Sequence, residues 1–400
     1  MTTVAEAWAL IARHMPRRPV EHIAIGEAVN RILAESVGYE RDQPPFDRVT
    51  MDGIAIASES FGRGTRRFTV AAVQAAGQAA LRNPSADACI RVMTGAVRPD
   101  GTDAVIPIER ITIDGDVAEV DDGAVVEPGR FIHSQGSDRQ RGEIVLEAGI
   151  RIGPAEIAVL ASAGRAEVAT AKPARIAIIS TGDELVPVDA PTIEPYQIRS
   201  SNDFAIEASL KRANLAECSR TTLPDDPDLI LASVSELHDA SDMLILSGGV
   251  SMGEFDFVPA ALEKLKARVV FHRIEQKPGK PMWFGVSGQG KPIFALPGNP
   301  VSTLLCMTRY VVPALALALG TEPPPAEFAV LGADVRGPKD LTYFVPVVLE
   351  WFFDGIEQAI PRPTNTSGDF SSLAGTDGFI ELPAGLGKHE QGSTGRIWRW

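Results

Sequence analysis

Basic residues are scarce in this chain: 38 Lys and Arg stand against 52 Asp and Glu, a net charge of −14. A field of that sign repels nucleic acid, anionic membranes and anionic small molecules alike, so any phosphorylated ligand must be held by a local feature. No basic stripe of the kind that tracks a phosphate backbone is present, and no nucleic-acid role is expected. Cysteine is almost missing. Cys89, Cys218 and Cys306 are the only three, too few and too scattered for a disulfide framework or a CxxC zinc site. The six histidines are scattered as well, so neither a His-rich metal centre nor a Ser-His-Asp triad is signalled. Long hydrophobic runs are lacking too. The longest, near residues 310–319, is interrupted by Pro313 and is too short to span a bilayer. No secretory signal is recognised, and a reducing cytoplasm is the expected location, with no membrane partner.

What the chain does have is enough apolar material, 44% over 400 residues, to build cores for roughly two to four domains. Its texture changes along the length. Residues 4–15 and 26–35 read as amphipathic helices, followed by a proline break at Gln43-Pro44-Pro45. From about 47 to 140, short alternating segments (68–73, 104–113, 117–120) between Gly, Asp and Pro predict an all-β module. A helical pattern returns at 154–163, framed by Gly153 and Gly164, which makes the β module an insertion. From 175 onward apolar strands (175–180, 243–246) alternate with helices (203–213 with Asn202 as cap, 258–266), the order of a doubly wound, mostly parallel sheet. A helix over 304–319 and the stiff Pro323-Pro324-Pro325 linker lead to a small C-terminal β domain with strands at 328–333, 343–353, 379–382 and 395–400. The predicted fold class is therefore α/β plus all-β modules. Its domains are a helical linker domain (1–45 and 141–172), an inserted β domain (46–140), an α/β domain (173–322) and the C-terminal β domain (323–400).

Chemistry concentrates where the predicted parallel strands end, the place where such sheets bind ligands. Leu246-Ser247-Gly248-Gly249-Val250-Ser251-Met252-Gly253 follows a buried strand. Two adjacent glycines let backbone N–H groups approach an anion, although neither a Walker loop nor a Rossmann fingerprint is formed. By itself this is as readily a tight turn as a ligand cradle. Glu254 and Asp256 just downstream tip the balance, because carboxylates beside a phosphate repel it unless a cation such as Mg²⁺ lies between. Thr181-Gly182-Asp183-Glu184 sits at another predicted strand end. Glu184 there is a metal ligand or a general base, whereas Asp225-Asp226-Pro227 alone is better read as a helix-start signal. Two lysines in Lys277-Pro278-Gly279-Lys280-Pro281 make a positive site in an acidic chain. In Leu296-Pro297-Gly298-Asn299-Pro300-Val301-Ser302, Asn299 is the expected N-cap, Pro300 is preset for the first turn, and the exposed N–H groups attract an oxyanion. Thr50-Met51-Asp52-Gly53 and Met93-Thr94-Gly95-Ala96, taken alone, are turns.

Taken in order, these segments resemble the molybdopterin molybdenumtransferases, the molybdenum insertases of molybdenum cofactor synthesis, whose relatives include the E domain of gephyrin. The resemblance runs over nearly the whole chain. It rests on Pro45-Phe46-Asp47 with Met51-Asp52-Gly53, Met93 to Ala96, Pro99 to Val105 with Glu109, Ser180 to Leu185, Gln197-Ile198 with Ser201-Asn202, Ser247 to Gly253 with Asp256, Lys277 to Pro281, Leu296 to Ser302, and Ser367-Gly368 with Ser371-Ser372.

The resemblance implies a homodimer whose cleft lies between the α/β domain of one subunit and the β module of the other. There adenylylated molybdopterin is bound with a divalent ion, its pyrophosphate linkage is cleaved, molybdate is joined to the dithiolene, and AMP leaves. It assigns catalytic positions to Asp52, Thr94, Asp138, Glu184, Asp225 and Asp256, with Glu184 and Asp256 as the Mg²⁺ ligands. Arg273, Lys277 and Lys280 match its basic positions. Ser247, Gly248, Gly249, Ser251, Pro297, Gly298, Asn299, Pro300 and Ser371 would frame the pterin ligand. Implied protein partners are the upstream adenylyltransferase and apo-molybdoenzymes. Two segments depart from the family pattern. Asp-Asn-Ser-x-Met-Asp-Gly-Tyr-Ala reads Asp47-Arg48-Val49-Thr50-Met51-Asp52-Gly53-Ile54-Ala55, and Arg-x-x-Gly-Glu-Asp reads His133-Ser134-Gln135-Gly136-Ser137-Asp138. An active insertase is therefore set against a divergent, non-catalytic carrier of pterin or finished cofactor.

Overall fold

The computed structural model describes residues 1–248, 258–322, 325–352 and 355–400. Gly249, Ser251, Glu254 and Asp256, and the start of the 323–325 proline linker, lie outside the described residues. The chain divides into two compact units. One comprises Met1–Glu35, Ala148–Ile152 and Val168–Trp400; the other comprises Ser36–Glu147 and Gly153–Glu167.

The first unit opens with the helix Val4–His14, close to expectation, started by a capping box in which Thr3 and Glu6 satisfy each other's backbone N–H groups. The expected helix over 26–35 is not formed. A single tight turn, Ile25–Glu27, is followed by Asn30 at φ 65°, after which Ile32 and Leu33 form isolated bridges to Arg151 and Thr170. The apolar spacing was real, but Ile32 and Leu33 are buried by extended backbone rather than by a helix face.

The α/β sheet runs, edge to edge, Ala216–Leu223, Ala174–Thr181, Met243–Ser247, Pro292–Leu296, Trp283–Val286 and Arg268–His272. The first four strands are parallel, and Trp283–Val286 pairs antiparallel with both Pro292–Leu296 and Arg268–His272, so the mostly parallel sheet is as predicted. Central strands carry unbroken apolar runs because both faces are covered. Helices Asn202–Ala213, Pro227–Ala240 and Val258–Lys264 connect the strands.

The helix expected over 304–319 begins earlier. It runs Pro300–Cys306, passes through a π-turn at Met307–Val311, and continues as Val312–Ala318. Pro313 lacks an N–H and its ring crowds the carbonyl four residues back, and the wider π-turn accommodates both. The whole segment Pro300–Ala318 is apolar and long enough to cross a membrane by composition, yet 72% of its apolar window is buried inside the chain. It is a core helix, with Tyr310 fully buried beside Phe284, Phe294 and Phe344 in the same cluster.

The C-terminal strands Glu327–Leu331, Thr342–Trp351, Glu357–Pro361, Gly378–Leu382 and Thr394–Arg399 close into a barrel, because Thr342–Trp351 pairs on one side with Glu357–Pro361 and on the other with Gly378–Leu382. The two-residue strand Gln276–Lys277 joins the same barrel strand in parallel.

In the second unit a six-stranded sheet has the order Ala104–Pro107, Gly53–Ile56, Ala88–Val92, Arg67–Gln74, Val117–Val120, Ile111–Asp114. The expected segment 104–113 is broken by a turn at Ile108–Arg110. The module also carries a short helix, Ser58–Gly62, and the helix Pro154–Ser162 groups with it.

Candidate active site

Strand order places the site in the first unit. Ala174–Thr181 lies beside Ala216–Leu223 on one edge and Met243–Ser247 on the other, all parallel, so Gly182 to Glu184, Asp225 and Gly248 emerge at the same carboxyl-terminal rim. There Gly182, Glu184, Asp225 and Gly248 line a cavity of about 650 Å³ together with Ser180, Arg199, Asn202, Pro297, Gly298 and Asn299. That size suits a small-molecule ligand.

The two acidic turns are laced together. Asp183 N–H donates to Asp225 Oδ2 at 3.3 Å, and Asp225 N–H donates to Asp183 Oδ1 at 3.0 Å. Asp226, by contrast, is the N-cap of Pro227–Ala240 and accepts from the N–H groups of Asp228 and Leu229. The helix-start reading of that dipeptide thus holds for Asp226, while Asp225 lines the cavity.

The opposite wall is held by Asn202. Expected as an N-cap, it is instead the first residue of its helix, with Ser201 in the cap position. Its Nδ2 donates to Ser247 Oγ at 3.0 Å and to the Gly298 carbonyl at 2.7 Å. Gly248 has φ 91°, and a Cβ there would stand 2.9 Å from the Thr181 carbonyl, so only glycine lets the two turns come together. Asn299 occupies the N-cap of the core helix but makes no side-chain cap bond. The turn is fixed instead by Thr303 Oγ1, which donates to the carbonyls of Pro297 at 2.6 Å and Asn299 at 3.2 Å. Ser180 Oγ, Thr181 Oγ1 and Asn202 Oδ1 are buried among the cavity-lining residues and find no hydrogen-bond partner among the described residues. A buried polar atom left so costs about 1–3 kcal/mol, which a polar ligand would offset.

A second cavity of about 400 Å³ adjoins the first and shares Pro281, Pro297 and Asn299 with it. Lys277 and Lys280 line this one, with Tyr343 and the 364–367 loop of the barrel region opposite. Lys277 Nζ lies 5.8 Å from the Tyr343 ring centroid, within cation–π range. One chamber is therefore acidic and its neighbour basic. Asp369, beside the loop, accepts from Ser371 Oγ, Ser372 Oγ and the Asn365 and Ser372 N–H groups, and these bonds hold its carboxyl down at about 2. Ser371 acts there as a clamp on Asp369 and lines neither cavity, and Arg273, exposed at φ 73°, lines neither.

In the second unit Asp52 Oδ1 accepts from Thr94 Oγ1 at 2.6 Å and Thr94 N–H at 2.7 Å, and these bonds hold its carboxyl below the usual range. Gly53 follows because a Cβ there would lie 1.9 Å from the Ile106 carbonyl. Asp138 Oδ1 pairs with His133 Nε2 at 2.9 Å. Sequence reasoning missed Asn202 as a bridging side chain, the unpartnered Ser180 and Thr181 hydroxyls, and the Tyr343 and Asn365–Thr366 side of the basic chamber. The signals for the first were the place of Ser201-Asn202 among the family segments and an asparagine where a serine already precedes the helix.

Three family models cover the chain in succession. They are the MoeA N-terminal region (domain I and II) over residues 2–164, a probable molybdopterin binding domain over 177–317, and the MoeA C-terminal region (domain IV) over 329–397. The molybdopterin molybdenumtransferase of Synechocystis is 36% identical over the full length of both chains. The chain belongs to the molybdopterin molybdenumtransferase family. That of Bacillus subtilis is 31% identical over 98% of this chain and 93% of its own. The crystal structure of a molybdopterin biosynthesis MoeA protein from Pyrococcus horikoshii superposes with a TM-score of 0.84 at 27% identity, covering all of both chains. The cavity with the paired acidic turns lies almost wholly within the stretch matched by the molybdopterin binding model, whereas Tyr343 and the 364–367 loop of the basic chamber come from the C-terminal region.

Proposed function

We propose that this molybdenumtransferase works on adenylylated molybdopterin and molybdate, cleaving the pyrophosphate link in the acidic chamber and handling molybdate in the basic one. The observation that carries the reading is the pair of adjoining cavities of opposite charge with the common wall Pro281, Pro297 and Asn299. A phosphoanhydride needs charge neutralisation and an oriented nucleophile rather than a covalent residue. A tetrahedral dianion needs local cations, and Lys277 and Lys280 supply them in the chamber that adjoins the acidic one.

Mg²⁺ fits the acidic chamber. Among the described residues no group of three or more His, Cys, Asp or Glu side chains forms a metal cage. Mg²⁺ does not need one, since it takes one or two carboxylates and fills its shell with water and ligand phosphate oxygens. Glu184 and Asp225 supply carboxylates at the rim of the cavity that the unpartnered Ser180 and Thr181 hydroxyls also line. Asp256 is assigned with Glu184 by the family resemblance. When bound, the ion neutralises charge on the phosphoanhydride. Glu184 then positions water or the ion, the Gly298–Asn299–Pro300 turn presents N–H groups to an oxyanion, and the Asn202 bridge keeps that turn in place. We assign the acting form as a cytoplasmic homodimer in which Asp52, Thr94 and Asp138 of one subunit complete the cleft of the other. It receives substrate from the adenylyltransferase and delivers cofactor to apo-molybdoenzymes.

AMP release by purified protein with Mg²⁺, molybdate and adenylylated molybdopterin tests this reading. Glu184→Gln and Asp52→Asn are each expected to be inactive with pterin binding retained, and mixed tagged heterodimers are expected to recover part of the activity. Normal turnover by Glu184→Gln would remove it from the chemistry. Heterodimers as inactive as both parents would remove the shared cleft.

A further inference from the structure

The two departures from the family pattern meet in space. Ile132–His133 pairs antiparallel with Arg48–Val49, which sets His133 directly opposite Arg48. Arg48 Nη2 lies 3.2 Å from His133 Nδ1, and His133 Nε2 lies 2.9 Å from Asp138 Oδ1. A guanidinium only donates, so Nδ1 accepts, and Nε2 carries the hydrogen that it donates to the carboxylate. The tautomer of the ring is thus set by the arginine across the ladder.

The backbone of the turn before Asp138 is fixed by other groups. Gln135 N–H donates to Asp47 Oδ1 at 2.9 Å, Gly136 N–H to the Pro44 carbonyl at 3.0 Å, and Asp138 N–H to the Gln43 carbonyl at 2.9 Å. Asp47 is itself held by Arg98 at 3.0 Å. None of these contacts aims the Asp138 side chain, and His133 does. Where the family pattern has an arginine at position 133, this chain has a neutral ring with the arginine moved to the opposing strand.

We propose that Arg48 and His133 together are positioning residues for Asp138. Arg48 supplies from the facing strand the cation that the family pattern carries at 133, and the imidazole it orients and polarises donates Nε2–H to the carboxylate. The proposal rests on Asp138 belonging to the site, as assigned above. Arg48 and an arginine at 133 are then alternatives rather than additions, since like charges directly opposite in a ladder repel.

The test is AMP release by the full-length protein, with KM and kcat separated and a thermal melt for each variant. Arg48→Gln is expected to lower kcat about tenfold or more with little change in KM, because a misaimed group harms the transition state more than binding. Arg48→Lys, which keeps a donor to Nδ1, is expected to keep more of the activity. His133→Arg alone is expected to be impaired, and Arg48→Gln combined with His133→Arg is expected to exceed either single variant. A purely structural role would not produce that reversal. The proposal is overturned if Arg48→Gln and Arg48→Lys match the wild type while Asp138→Asn is inactive, or if the double variant is no better than the singles. A fully active Asp138→Asn would overturn both the proposal and the place of Asp138 in the site.

Discussion

Asn202 and Ser247 are joined side chain to side chain at 3.0 Å, and the same amide reaches the Gly298 carbonyl at 2.7 Å, so one helix-start residue closes the gap between two strand-end turns. Asn202→Ala removes both bonds, each worth about 1 kcal/mol net. The expected result is a stability loss of roughly 1–2 kcal/mol in denaturant titration. Pterin binding measured by calorimetry should weaken by about tenfold, one such energy step. Asn202→Asp should be worse for binding, since it sets an acceptor against the Gly298 carbonyl in an already acidic chamber. Unchanged pterin affinity in both variants would show that the Asn202 bridge does not shape the ligand site.

Lys277→Ala and Lys280→Ala should each raise the molybdate concentration needed for half-maximal turnover. The difference from wild type should narrow at high salt, because the interaction being removed is itself screened over about 8–10 Å at ordinary ionic strength. Molybdate dependence is the quantity to measure. If it is the same in both variants as in wild type, the oxyanion is bound elsewhere.

Asp242 offers a stability prediction. Burial alone would raise its carboxyl, but hydrogen bonds from the Arg175 side chain and backbone, with the charges of Arg18 and Arg175, outweigh burial and bring it to about 2. Because the folded value is depressed below the ordinary 3.8, the stabilisation is present above that pH and is lost as pH falls toward 2. Asp242→Asn should therefore cost about 2 kcal/mol at neutral pH. The gap to wild type should close in acid. Melting curves from pH 7 to pH 2 check this, and a pH-independent gap would assign the loss to packing instead.

Much of this was legible in the sequence where local and global preferences agree. Gly153-Pro154 announced the Pro154–Ser162 helix, and the unbroken apolar run of Met243–Ser247 announced a strand buried on both faces. Ala216–Leu223 was not legible. It is an edge strand with an alternating, largely polar burial pattern, and its eight residues include Glu217, Ser219, Arg220, Thr221 and Thr222. Residues 26–35 misled because helical spacing of Ala28, Ile32 and Leu33 cannot reveal that bridges to Arg151 and Thr170, more than a hundred positions away, bury them. At the site, Glu184, Gly248 and the two lysines could be read from local pattern. The adjacency of the acidic and basic chambers could not, because Pro281, Pro297 and Asn299 become a common wall only once the strands Trp283–Val286 and Pro292–Leu296 fold back on each other.

The parallel pairing of Gln276–Lys277 with Thr342–Tyr343 has a mechanical side. Because the barrel closes on itself, its strands offer little give, and Lys277 is stitched to it by backbone bonds, whereas Glu184 and Asp225 are carried by loops at the rim of the α/β sheet. The place of the cation is therefore set by barrel backbone, independently of the loops that carry the carboxylates, so a loop rearrangement around the acids leaves the oxyanion's lysine where it is.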